Sequence, residues 1–196
     1  MNKKENTYEL IGNNTIKAIC PNGRYFYFDQ DDLDVIQQRY WSVSQTGYVV
    51  GCFNGKPKAL ARHLLNAPSE TIVDHINHKP YDNRRSNLRI CTASENARNV
   101  SAFRRDGSRR GIKKRAYGFF VWFKNGDTYV SKRCSSYEEA VSQRNKWEEE
   151  HFGEFAPWDR YDEEKNKISK AYFCENVFGK HFDRERVITL RKFRRL

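Results

Sequence analysis

The chain has 196 residues, of which 38% are hydrophobic and 31% charged, with a formal net charge of +11 and an isoelectric point near 9.5. So low a hydrophobic share argues against one large core and for several small ones, and the 14% of aromatic residues argues against disorder throughout. A basic excess of this size points to a polyanionic partner, because each Lys or Arg set on a phosphate releases a counterion, although a generic basic surface or a ribosomal protein would give the same balance.

Residues 7 to 54 carry short aromatic and β-branched runs: Tyr8-Glu9-Leu10-Ile11, Arg24-Tyr25-Phe26-Tyr27-Phe28 and Tyr48-Val49-Val50-Gly51-Cys52-Phe53. Asn13-Asn14, Pro21-Asn22-Gly23 and Thr46-Gly47 punctuate them, so the stretch reads as a small antiparallel sheet. Between the second and third runs a helix is expected, capped by Asp31 or Asp32 and turning Leu33, Ile36 and Tyr40 to one side. Leu60 and Leu64 mark a short helix that ends near Asn66-Ala67-Pro68.

From Thr71 to Asn99 the pattern is strand, polar loop, strand, helix. Ile72-Val73-Asp74-His75-Ile76 is the first strand, Asn77 to Ser86 the loop, and Leu88-Arg89-Ile90-Cys91 the second strand. Thr92-Ala93-Ser94-Glu95 fits a capping box, which starts a helix at Ala93. Residues 101 to 116 follow as a basic connector, with seven Lys or Arg and a single acid, Asp106, between Arg104 and Arg115. Tyr117 to Lys124 and Asp127 to Cys134 then read as strands joined by Asn125-Gly126, a strong hairpin signal. Ser136 to Glu139 is a second capping box, opening a helix with Ala140, Arg144, Trp147 and His151 on one stripe, which stops at Gly153 and Pro157. The tail, 158 to 196, reads as helical and basic, with Asp183 capping a last helix that turns Val187, Leu190 and Phe193 inward.

The five cysteines are scattered, with no C-x-x-C pair, so neither a disulfide framework nor a structural zinc is expected. No apolar run approaches the roughly 18 residues of a membrane span. The polar start MNKKENTYEL predicts no signal peptide. The expectation is a cytoplasmic protein with no membrane partner.

The chemistry concentrates between Asp74 and Asn99, where carboxylates, imidazoles and amides crowd together as a plain core would not allow. Neighbouring strand residues point to opposite faces, so Asp74 and His75 take different jobs, and Asn96 and Asn99 share a helix face. If that helix packs across the strands, Asp74, His75 and Asn96 converge. Phosphodiester hydrolysis needs such parts: oxygen ligands for a hard divalent cation and a base of near-neutral pKa for the water.

This run of 26 residues closely resembles the HNH, or ββα-metal, nuclease motif of phage and bacterial homing endonucleases. The resemblance implies that Asp74 and Asn96 hold a divalent metal, Mg2+ or Mn2+, and that His75 is the general base. It implies that Asn87 supports the loop and orients the histidine, and that Asn83 and Asn99 give further support. Arg84 and Arg89 would contact DNA. Members of the family often carry a His-Arg pair in the preceding helix. Here that helix reads Ala61-Arg62-His63, so Ala61 stands where the histidine is usual and His63 reads as structural.

Residues 110 to 157 resemble the plant ethylene-response-factor (APETALA-like) type of DNA-binding domain. The likeness lies in the strands, the Asn-Gly hairpin, Tyr137-Glu138-Glu139-Ala140 and Phe152-Gly153-Glu154-Phe155-Ala156. Where such domains have Leu-Gly-x-Phe before the helix, this chain has Ser131-Lys132-Arg133-Cys134. The resemblance implies a three-stranded sheet lying in the major groove, with Lys113, Lys114, Arg115, Lys124, Lys132 and Arg133 on DNA and Tyr117, Phe119 or Trp122 stacking or packing. Arg104, Arg105, Arg109 and Arg110 of the connector would follow a groove.

The expected fold class is α+β: an N-terminal scaffold over residues 1–100 with the nuclease motif at 71–100, a connector at 101–116, a sheet-helix module at 110–157 and a helical tail at 158–196. The expected function is metal-dependent, site-specific cleavage of double-stranded DNA, of homing or restriction type, by one copy or a homodimer. The alternatives are a DNA-binding protein without cleavage and an RNA-binding basic protein.

Overall fold

The computed structural model describes residues 5–175, which fall into two compact units divided between Val100 and Ser101. The class is mixed, with small antiparallel sheets and a few helices. Among the described residues no helix is long and apolar enough to cross a membrane.

In the first unit, β1 (Thr7–Ile11), β2 (Thr15–Ile19) and β3 (Tyr25–Asp29) form an antiparallel meander. Strict alternation turns Ile16, Ala18, Phe26 and Phe28 into the core. The helix expected from Asp31 is shorter than its sequence pattern: α1 spans Leu33–Gln37, and Tyr40 lies outside it, exposed. Asp32 stands at its N-cap position as expected but makes no side-chain capping bond; the side chain is buried and accepts from the Arg85 guanidinium at 2.7 Å. The chain then makes a second sheet rather than one more strand of the first: β4 (Trp41–Val43), β5 (Val49–Phe53) and β6 (Lys56–Ala59). Strand β4 is too short to show a period, and β6 carries Pro57, which an edge strand tolerates because that edge needs no N–H. Trp41 is fully buried against Gly51, and its indole N–H donates to the carbonyl of Ile36 at 3.0 Å. Helix α2 (Leu60–Leu64) adds Leu60 and Leu64 to the same core.

Strands β7 (Ile72–His75) and β8 (Leu88–Cys91) pair antiparallel, and α3 (Ala93–Arg98) follows. Leu88 reaches into the unit's core, which ties this hairpin to the two sheets. The Thr92–Glu95 capping box forms as the sequence predicts, with both reciprocal bonds present.

In the second unit, β9 (Ile112–Arg115), β10 (Gly118–Asn125) and β11 (Thr128–Cys134) form an antiparallel sheet in the order β11-β10-β9. Helix α4 (Tyr137–Phe152) packs on the face that carries Ile112, Phe119 and Val121. The hairpin turn differs by one residue from its sequence reading. Asn125 pairs with Thr128, so Gly126-Asp127 makes the two-residue turn, and Gly126 takes the positive φ of +57° that the turn requires. The second capping box is half formed: Ser136 caps α4, but the Glu139 carboxylate bonds to the backbone N–H of Ser135. After short turns at Gly153–Phe155 and Trp158–Tyr161 the chain enters α5 (Glu163–Glu175). The last helix expected around Asp183 to Phe193 lies outside the described residues.

The stretch read as a basic connector is folded into this second unit from Ser101 onward. Ser101 and the backbone N–H of Ala102 bond to the buried Asp159 carboxylate at 2.6 and 2.7 Å, and the backbone N–H of Arg109 bonds to Ser169 at 2.8 Å. Arg104 to Gly107 make a tight turn in which Asp106 accepts from Ser108.

Candidate active site

The register of β7 on β8 sets Arg89 directly across from Asp74. Both side chains are nearly buried, and Arg89 Nε and Nη2 donate to Asp74 Oδ2 at 3.0 and 2.7 Å. Asn99, at the C-terminal end of α3, donates Nδ2–H to the same oxygen at 3.0 Å and to the carbonyl of Ile76 at 3.1 Å. Asp74 Oδ2 is therefore surrounded by three donor groups, and both protons of the Asn99 amide are spent. Its two neighbours there are acceptors only, which fixes the amide's orientation. The remaining Asn99 oxygen, Oδ1, is buried with no hydrogen-bond partner among the described residues. An orphaned buried acceptor costs about 1–3 kcal/mol, and a hard cation or a water would relieve it.

His75 follows on the opposite face of β7 and is only 8% exposed. Its Nε2 lies 3.4 Å from Asn83 Oδ1, and the Tyr48 ring stands across it at 6.0 Å and 70°. Burial lowers the imidazole's pKa; the Asn83 contact and the nearby Asp74 and Asp82 only partly oppose it. Burial thus favours the neutral imidazole, the form a base requires.

The loop between the strands is held by its own amides. Asn87 Oδ1 accepts from the backbone N–H of Asn77 at 3.0 Å, and its Nδ2 donates to the carbonyl of Asp82 at 2.8 Å. Burial raises the Asp82 pKa, but hydrogen bonds from Arg84 and Asn77 outweigh it and hold the carboxyl below its ordinary range. The loop is also stitched to β3: Tyr27 donates its N–H to the carbonyl of Tyr81, and Asn83 donates to that of Tyr27, each at 2.8 Å. The backbone N–H of Arg85 bonds to Asp29 at 2.7 Å, and its guanidinium grips Asp32.

Of the residues singled out in the sequence, the structure brings together Asp74, His75, Asn83, Asn87 and Asn99. Asn87 supports the loop, while the group on His75 is Asn83. Asn96 sits exposed on α3 and makes no side-chain hydrogen bond among the described residues, so the asparagine bonded to Asp74 is Asn99. Tyr48 and the pairing of Arg89 with Asp74 were missed, because nothing local marks a contact across a register or between distant turns. His63 packs between Trp41 and Phe53 at 5.7 and 4.8 Å, where its protonation is disfavoured by burial and by Lys58 and Arg39.

Several expected DNA contacts are corrected. Arg109 is 0% exposed; it donates to Glu148 at 2.8 Å, Asn145 at 2.7 Å and the carbonyl of Ala102 at 3.0 Å, and cannot reach a phosphate. A charge in a basic run looks solvated in sequence, and its acid stands 39 positions away. Arg89 is committed to Asp74. Arg84 bonds to Asp82 and Lys132 to Glu139, each leaving its side chain partly open. Phe119 takes the packing role of the two expected for it, in the core against α4. The pairing sorts the remaining cations: Lys113, Arg115, Lys124 and Arg133 lie on the sheet face away from α4, with Phe120 stacked on Trp122 at 6.0 Å and 24°. Lys114 lies on the other face, over the Phe119 ring. Arg105 and Arg110 are exposed, and Arg104 bonds to Ser108.

Comparison with known proteins bears on the same stretch. A family model described as HNH endonuclease matches residues 66–98. The chain is also 32% identical over 146 residues to an uncharacterised HNH endonuclease of Acanthamoeba polyphaga mimivirus, covering 71% of this chain and 77% of that protein. The chain belongs to the HNH endonuclease family. No solved structure matches it. It is accordingly a DNA nuclease, of a family whose members generally use a divalent metal ion. The donor set of this HNH endonuclease fits such an ion. Among the described residues no cluster of three His, Cys, Asp or Glu exists to make a closed site. Asp74 together with asparagine oxygens would make an open, weakly charged one, of the kind that suits a hard cation sharing its ligands with a phosphate.

Proposed function

We propose that the nuclease hydrolyses phosphodiester bonds in double-stranded DNA at chosen sites, with β7, β8 and α3 acting as a ββα-metal unit. The observation that carries this reading is the buried His75 next to an Asp74 whose Oδ2 is saturated by its own neighbours. With Oδ2 held by Arg89 and Asn99, Asp74 and the amide oxygen of Asn96, exposed on α3, would hold Mg2+ or Mn2+. When bound, the cation stabilises charge on the phosphate and on the leaving oxygen.

The remaining steps belong to the chain. Asn83 Oδ1 can only accept, so its contact selects the tautomer with the proton on His75 Nε2 and leaves a lone pair on Nδ1. Nδ1 takes the proton of the attacking water. Asn87 and the Asp82 network hold the loop, and with it Asn83, in register. Arg89 and Asn99 keep Asp74 from rotating.

In the second unit, the face bearing Lys113, Arg115, Lys124 and Arg133 around Phe120 and Trp122 supports an ethylene-response-factor-like role, with the sheet in the major groove. Arg105 and Arg110 add phosphate contacts. The protein would act in the cytoplasm, as a homing or restriction enzyme, alone or as a homodimer. Incubation of a random-site DNA library with Mg2+ or Mn2+, followed by sequencing of the new ends, tests the reading. Recurrent ends that vanish with EDTA are expected; cleavage that persists in EDTA would overturn the metal role.

A further inference from the structure

We infer that Tyr48 is a substrate-contacting residue, which receives the nucleotide flanking the scissile phosphate on the exposed side of its ring. The inference rests on the placement of the active site at His75.

Tyr48 combines two properties that seldom coincide. It is 50% exposed, yet its ring lies across the buried His75 imidazole at 6.0 Å. A tyrosine that only fills space hides its ring, and one that only decorates a turn has no reason to cover the base. The turn that presents it is held fast. Ser44 N–H bonds to the carbonyl of Tyr48 at 2.8 Å, Gly47 N–H to that of Ser44 at 3.0 Å, and Arg24 clamps the carbonyls of Val43 and Ser44 at 3.1 and 2.5 Å. The next residue, Val49, is buried and anchors β5. On its other side the turn abuts the catalytic loop: a Cβ added at Gly47, where φ is +87°, would stand 3.0 Å from Pro80 Cγ. Only glycine fits both the conformation and the approach. The geometry therefore uses a closely packed, glycine-dependent turn to place one aromatic ring at the mouth of the site.

A half-exposed ring beside a general base offers one surface to the substrate. Its apolar face suits a base or deoxyribose; stacking of this kind tolerates any base, so it positions the strand without reading sequence. The contact would fix the scissile phosphate relative to His75 Nδ1, and near-attack placement of that sort is costly to lose.

The test is a cycle between protein and substrate on a site already mapped by end-sequencing. Single-turnover cleavage at saturating DNA is measured for the wild type and for Tyr48→Phe, Tyr48→Leu and Tyr48→Ala, each on intact DNA and on DNA with an abasic position beside the cut. Tyr48→Phe should stay within a few-fold of wild type, and Tyr48→Ala should fall by roughly 10-fold or more on intact DNA. On abasic DNA the Tyr48→Ala penalty should largely disappear, because the contact is already gone. Effects that multiply instead of merging would overturn the inference, as would equal rates for the Phe, Leu and Ala variants. Melting curves exclude misfolding, with Tyr48→Leu as the second variant if Ala is unstable. His75→Ala run alongside separates the two claims. If it cuts like wild type, the site placement fails; if it is inactive while Tyr48→Ala is normal, only the Tyr48 contact fails.

Discussion

Substituting Arg109 by Met separates structure from DNA contact in the basic stretch. Arg109 is completely enclosed and shares Glu148 with Arg144, whose Nε reaches Glu148 Oε1 at 2.8 Å. Removing one member of a buried pair costs about 3–5 kcal/mol when the partner is stranded. In Arg109→Met the carboxylate keeps Arg144, so the loss should lie near the low end, about 3 kcal/mol. For a unit of this size that lowers the melting temperature by roughly 12–24 °C. Glu148→Gln should cost more, since it strands two guanidinium groups at once. Calorimetry of the full chain measures both. The companion assay is DNA affinity against salt, at a temperature where both variants remain folded. A lost phosphate contact would flatten the slope of log K against log salt by about 0.9, and Arg109→Met should leave it unchanged. A melting shift under roughly 4 °C together with a flattened slope would refute the buried assignment.

Other perturbations follow from the same geometry. Asn87→Ala strands the N–H of Asn77 and loosens the carbonyl of Asp82, so urea denaturation should show a loss of about 2 kcal/mol, with cleavage falling while DNA binding persists. Gly51→Ala would press a Cβ to 2.9 Å from the Trp41 ring, and the overpacking should cost about 1–3 kcal/mol in the same assay. Asp159 is buried, which raises its pKa, but Lys165, Ser101 and the N–H of Ala102 outweigh this and leave it depressed. Its stabilising contribution is therefore complete above the unfolded value of about 3.9 and is lost as pH falls through the folded value. Urea midpoints at pH 5 and pH 3 should drop further for the wild type than for Asp159→Asn; equal drops would show that Asp159 does not carry the acid limb.

Local signals were legible in the sequence because they are complete within a few residues. Thr92 and Glu95 form their box as written, β8 spans the four residues read as a strand, and Gly153 ends α4. The candidate site was legible as a set of residue types, since Asp74 through Asn99 crowd chemistry into one hairpin and helix. What the sequence withheld depends on register and on the third dimension. Whether Asn96 or Asn99 meets Asp74 turns on how α3 ends, and Asn99 leaves the helical conformation with ψ at +46°. Arg89 reads as a free cation until the pairing sets it across from Asp74. Shifting the hairpin turn to Gly126-Asp127 sets Arg133 across from Phe120 and Lys132 across from Val121, two places along β10 from where the sequence reading puts them. Tyr48 meets His75, and Gly47 meets Pro80, from turns that no periodicity relates.

The most direct test of the account is single-turnover cleavage by His75→Ala with Mg2+ or Mn2+, read beside DNA affinity in a gel-shift assay. The account predicts loss of cleavage by on the order of 100-fold or more, as for a removed general base, with affinity within a few-fold of wild type. Cleavage at the wild-type rate would contradict it.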